Sequence, residues 1–104
     1  MNLKTKPFYL DDEAVNWVET TLKQLSIAEK IGQLFLPIGY STDTEYLDNL
    51  LSYHIGGLFF RSGKAQEVQK TYQYVQEKSK IPLLTAANLE DGGNGAAIEA
   101  TCLW

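Results

Sequence analysis

The apolar positions change period several times along the chain, and each change marks a new element. Val15, Val18, Leu22 and Leu25 recur at spacings of three and four, with Trp17 and Thr21 beside them. That is the stripe of a helix packed on one side. Asp11 or Asp12 supplies its N-cap, because a carboxylate there accepts from first-turn amides that lack a partner. The pattern therefore predicts an irregular lead-in over 1–10 and a helix ending near Leu25. Ser26 and Glu29 have the capping-box spacing and open a second, short helix that runs into Gly32.

The next apolar run, Leu34-Phe35-Leu36, is continuous and is followed by Pro37. Continuity predicts a strand buried on both faces over 34–38, with proline marking its end. Helical spacing returns over 42–53, with Tyr46, Leu47, Leu50 and Leu51 on one side and Asp43, Glu45 and Asp48 toward water. IGGLFF, over 55–60, reads as a second buried strand entered through a tight glycine turn. A further amphipathic helix over 64–80 has Val68, Tyr72 and Val75 as its inner line, and a third strand follows over 82–87 with Pro82 at its first position.

Helices and strands thus alternate, which predicts an α/β fold of about three βα units, with parallel strands joined by right-handed crossovers. A three-stranded parallel sheet has two open edges and needs helices on both faces. The pattern therefore predicts one unit over 1–104 that is a portion of something larger, prone to self-association through exposed sheet edges.

Composition narrows the functions. Hydrophobic residues make up 44% and charged residues 21%, and no run approaches the ~20 apolar residues of a membrane span. A net charge of -4, with nine basic residues scattered along the chain, gives no electrostatic reason to bind nucleic acid or anionic lipid. Neutral substrates fit better. The lone Cys102 cannot form an internal disulfide and the first residues lack an apolar signal core, so cytoplasmic residence is the expectation. His54 has no second histidine or cysteine partner, so it is read as capping a helix end, and neither a metal nor another cofactor is expected.

In parallel α/β folds ligands sit beyond the carboxyl ends of the strands, where loops vary and the sheet fixes their origin. Three segments qualify: Gly39-Tyr40-Ser41, Arg61-Ser62-Gly63, and Asn88-Leu89-Glu90-Asp91-Gly92-Gly93-Asn94-Gly95. The third lacks both the P-loop Lys-Ser/Thr pair and the GxGxxG spacing, and its two carboxylates would repel a phosphate. Nor do Glu90 and Asp91 make a glycosidase pair. Those carboxyls must flank one bond about 5 Å or more apart, and adjacent residues leaving a strand point to opposite sides. A glycine turn whose Asn and Asp side chains bond their own backbone is the simpler reading of the loop.

The run LSIAEKIGQLFL resembles the opening signature of glycoside hydrolase family 3. HIGGLFFRSGKAQEVQKTYQYVQEKSKIPLLTAANLEDGG resembles its continuation, so the likeness covers about 25–95. The resemblance implies a TIM (β/α)8 barrel that hydrolyses β-glycosides with retention, through an aspartate nucleophile and a covalent glycosyl intermediate. It is closest to the β-N-acetylhexosaminidase branch, whose loop after strand three reads Asp-x-Glu-Gly-Gly-Arg and whose Asp binds sugar hydroxyls. By position Asn88 matches that Asp and Glu90 the Glu, and Arg61 joins them at the sugar-facing end. Asn88 is neutral and cannot give a charge-assisted acceptor, Asp91 replaces or precedes the first glycine, and no Arg follows Gly93. A barrel takes roughly 250 residues. The resemblance therefore implies a chain that is the N-terminal third of a barrel, with no catalytic residue of its own and no activity alone. The competing expectation is a small stand-alone α/β binding module that uses the same loop.

Overall fold

The computed structural model describes residues 2–61, 63–90 and 92–98. Ser62, Asp91 and Cys102, which entered the readings above, lie outside the described residues. The first stripe forms α1 (Asp12–Gln24), and the Asp11 carboxylate accepts from the Ala14 amide at 2.8 Å. The expected packing surface is not used, because no α1 residue is buried and Leu22 is 51% exposed. The core is built farther along the chain, and only Leu25, just past the helix, is buried.

Both halves of the capping box are present in α2 (Ile27–Gly32): the Ser26 amide donates to Glu29 Oε2 at 2.8 Å and the Glu29 amide to Ser26 Oγ at 3.2 Å. Glu29 Oε1 also accepts from Lys80 Nζ at 3.2 Å. These donors, the Ser26 amide foremost, lower the Glu29 carboxyl from 4.5 to about 2. A depressed folded-state value means stability that is fully present above the unfolded value and is lost as pH falls from 4.5 toward about 2. In Glu29→Gln that part of the acid limb is expected to flatten, measured as urea midpoints across the same pH range.

The first predicted strand is corrected by the structure. Gln33 and Leu34 extend the end of α2 as a turn, in which the Leu34 and Phe35 amides bond the Ile31 and Gly32 carbonyls, both at 3.0 Å. Leu34 is 83% and Phe35 60% exposed, so the run is not buried on both faces. Pro37 begins the ladder where it was expected to end it: its carbonyl accepts from the Phe59 amide at 3.0 Å, and β1 is Ile38–Gly39. Then follow α3 (Thr44–Ser52), capped by Asp43, then β2 (Gly57–Phe60), β3 (Gly63–Lys64), α4 (Ala65–Lys78) and β4 (Leu84–Ala86). A 3-10 turn (Gly92–Gly95) and β5 (Ala97–Ile98) complete the described elements. His54 closes α3 with a left-handed φ of 56° and an amide bond to the Leu51 carbonyl at 2.9 Å, as its reading as a helix-end residue expects.

The main sheet is parallel, in the order β1-β2-β4, and the unforeseen β3 and β5 pair in parallel as a second ribbon. Leu47, Ile55, Leu58, Val75 and Leu83 form the core between one face of the sheet and helices α3 and α4. Lys78 and Asp48 pair across those helices at 2.9 Å, and Tyr74 donates to the same carboxylate at 2.8 Å. The opposite face is bare: Ile38 is 39% and Leu84 71% exposed.

The overall shape follows from that one-sided covering. The radius of gyration is 16.0 Å and the principal extents are 42 × 34 × 18 Å. A compact domain of this length has a radius near 13 Å. The molecule is a slab with one finished side.

Candidate functional site

The carboxyl ends of the three sheet strands carry two of the sequence-predicted residues, Arg61 and Asn88, to one rim, and among the described residues no register or contact ties Glu90 to them. Ile38 and Gly39 register with Phe59 and Phe60, and Phe59 registers with Ala86. Continuing the same registers places Tyr40 beside Arg61, and Arg61 beside Asn88. The Arg61 amide confirms the first step by donating to the Gly39 carbonyl at 3.1 Å. Side chains alternate along a strand. Leu58 and Phe60 are buried on the helix side, so Phe59 and Arg61 belong to the bare face, in one row with Ile38 and Tyr40.

Tyr72 of α4 holds this end of the sheet together. Its hydroxyl accepts from the Phe60 amide at 3.2 Å and lies 3.3 Å from the Leu58 carbonyl and 3.1 Å from that of Ala86, to one of which it donates. One side chain thereby spans β2 and β4 immediately before Arg61 and Asn88.

Arg61, Asn88 and Glu90 are all exposed. The Arg61 guanidinium lies 5.8 Å from the centre of the Tyr40 ring, within cation–π range. A cleft of about 320 Å³ opens beside them, lined by Tyr40, Ser41, Phe60, Arg61, Gly63 and Glu67. A larger cavity of about 610 Å³ lies at the opposite end of the strands, against Ile31, Phe35, Leu50 and Tyr53. Its lining is mainly apolar, with Ser52, Tyr53 and His54 as the polar members, and it lies away from the strand ends where barrel enzymes bind substrate. Among the described residues no group of three His, Cys, Asp or Glu could hold a metal ion. No described helix is long and apolar enough to cross a membrane.

The glycine loop folds back on its own base. The Gly92 amide donates to the Leu89 carbonyl at 3.0 Å and the Ala96 amide to that of Gly93 at 3.1 Å. A Cβ added to Gly95 would sit 1.7 Å from the Asn88 carbonyl oxygen, so an unsubstituted residue is required for the loop to close there. Asn94 Oδ1 is buried with no hydrogen-bond partner among the described residues. Gly95→Ala is expected to displace Asn88, moving the amide resonances of 86–95 while those of α3 stay in place, at a stability cost of about 1–3 kcal/mol.

No family model matches the chain, but similar proteins are known. It is 41% identical over 102 residues to a β-N-acetylglucosaminidase/β-glucosidase from Cellulomonas fimi, covering 97% of this chain and 18% of that protein. The solved structure of β-glucoside phosphorylase BglX superposes with a TM-score of 0.82 at 38% identity, over 97% of this chain and 18% of that one. BglX bound to 2FGlc gives 0.81 at 37% identity, over 97% and 19%. The chain matches the N-terminal part of glycoside hydrolase family 3. Its parallel α/β architecture is that of the N-terminal portion of the family 3 barrel, and it spans less than a fifth of the length of these relatives.

Sequence reasoning flagged the loop holding Tyr40 but did not single the residue out. The signal was available: Tyr40 follows the first strand, as Arg61 and Asn88 follow the second and third. What the sequence lacks is the register, which cannot be counted from a first strand that ends before Gly39.

Proposed function

We propose that this chain forms the first part of the sugar-binding rim of a retaining β-glycoside-processing enzyme, with Asn88, Glu90 and Arg61 facing the substrate. One observation carries the reading: the strand registers bring Arg61 and Asn88 into one row at the end of the sheet where barrel enzymes bind substrate. Asn88 supplies both a donor and an acceptor to sugar hydroxyls, which suits a neutral glycoside. The nucleophile and the acid/base residue come from further βα units, so the 104-residue chain alone is inactive. The slab shape and bare apolar face favour this over a stand-alone module, and they also lead the isolated chain to self-associate. Cytoplasmic residence belongs to the same reading, on the single cysteine.

The names of the relatives include both a glucosidase and a phosphorylase. Both outcomes are compatible with one glycosyl-enzyme intermediate, released to water in the first case and to phosphate in the second. Replacing the corresponding segment of the Cellulomonas fimi enzyme with this chain tests the reading. Turnover of aryl β-glycosides is expected from the chimera and not from the chain alone, with Asn88→Ala lowering kcat/KM at least about tenfold. Assays with and without inorganic phosphate decide the acceptor. A folded chimera without turnover in either, or full activity in Asn88→Ala, overturns the assignment.

A further inference from the structure

Tyr40 stands out among the rim residues because nothing in the fold requires its ring. It follows β1, is 65% exposed, and adds no side chain to the core. Its backbone, by contrast, is fixed: the Tyr40 amide donates to the Tyr46 hydroxyl at 3.3 Å, and that hydroxyl donates to the Ile38 carbonyl at 3.3 Å. Tyr46 therefore fixes the backbone from which a largely exposed aromatic side chain projects. The Arg61 guanidinium lies 5.8 Å from the ring centre, which restricts how the ring can turn. The ring also borders the polar cleft of about 320 Å³ and lies in the same register row as Arg61 and Asn88.

A β-linked pyranoside with equatorial hydroxyls presents axial C–H groups on one face and hydrogen-bonding groups around its edge. The face of a tyrosine ring is electron-rich and complements those C–H groups, while donors and acceptors beside the ring suit the edge. A preoriented aromatic side chain also loses little conformational freedom on binding. We infer that Tyr40 is a sugar-stacking platform of this rim, packing against the apolar face of a β-pyranoside while Arg61 and Asn88 engage its hydroxyls. The inference rests on the sugar-binding reading of the rim and adds to it the residue that recognises the face of the ring.

The test is an amide-resolved NMR titration, with methyl β-D-glucoside, of the chimera described above, isotopically labelled in the segment that this chain supplies. Saturable shifts are expected at Tyr40, Arg61 and Asn88. Tyr40→Ala should weaken binding about tenfold and Tyr40→Phe should bind within about twofold of the parent, because stacking uses the ring and not the hydroxyl. Spectra of the free variants verify that the core resonances are unmoved. If Tyr40→Ala binds as the parent does, with shifts persisting around Asn88 and Glu90, the platform is refuted and the sugar-binding rim stands. If the parent shows no shift at any of these residues, the rim itself is refuted, and Tyr40 with it.

Discussion

Gly56→Ala is expected to cost about 3 kcal/mol or more, enough to leave much of the chain unfolded at room temperature. A Cβ at Gly56 would stand 2.0 Å from the Gln33 carbonyl oxygen and 2.7 Å from its carbon. Both are backbone atoms, so no side-chain rotation relieves the clash. The same junction is crowded from the other side, where a Cβ on Gly32 would meet the Tyr53 carbonyl oxygen at 2.1 Å. Between the two glycines Gln33 Nε2 donates to the His54 carbonyl at 2.9 Å, and the Gly56 amide donates to that of Phe35 at 3.0 Å. Separating the backbones would break this bonding while exposing Ile55. Urea unfolding measures the effect, and Gly63→Ala is the control, since its nearest atom would be a Val68 methyl at 3.7 Å. Equal midpoints for the two variants would contradict the account.

Leu58→Ala should be the most damaging truncation in the sheet, at about 3–5 kcal/mol. Leu58 is 0% exposed and belongs to the core cluster with Leu47, Ile55, Val75 and Leu83. Its loss leaves a cavity between sheet and helices that both layers are too tied to fill. Leu84→Ala should change stability by no more than about 0.5 kcal/mol, since that side chain is 71% exposed on the bare face. A substantial loss at Leu84 would show that the bare face is covered in solution, and its concentration dependence would identify self-association as the cause.

That contrast marks how far the sequence could be read. Period alone found α3 and α4 within a few residues, since their apolar lines face the core, and the capping candidates, Asp11 or Asp12 for the first helix and Ser26 for the second, located two helix starts by local chemistry. It failed where an apolar run is left largely exposed by the chain around it. Leu34-Phe35-Leu36 resembles a buried strand because its composition suits burial, but a strand needs a ladder, and Pro37, just past the run, is the first residue to accept from β2. The α1 stripe failed similarly: an amphipathic helix is legible whether or not a surface exists to receive it. The two adjacent leucines, Leu83 and Leu84, are indistinguishable by hydropathy and lie on opposite faces. The loop positions of Arg61 and Asn88 were legible as strand ends, whereas their alignment with Tyr40 needed the register between segments distant in the chain.

The short β3–β5 ribbon gives the rim a mechanical property. Gly63 registers with Ala97 and Lys64 with Ile98, so the segment leaving Arg61 and the segment returning from Asn88 are joined on their far side. Strand pairing at one end and ribbon pairing at the other turn two loops into one closed circuit of backbone. Neither can open without loosening the other, and a ligand that steadies one lowers the entropy still to be lost in the second. Amide exchange at Lys64 and Ile98 should therefore slow together when sugar is added, giving the rim the response of a clasp.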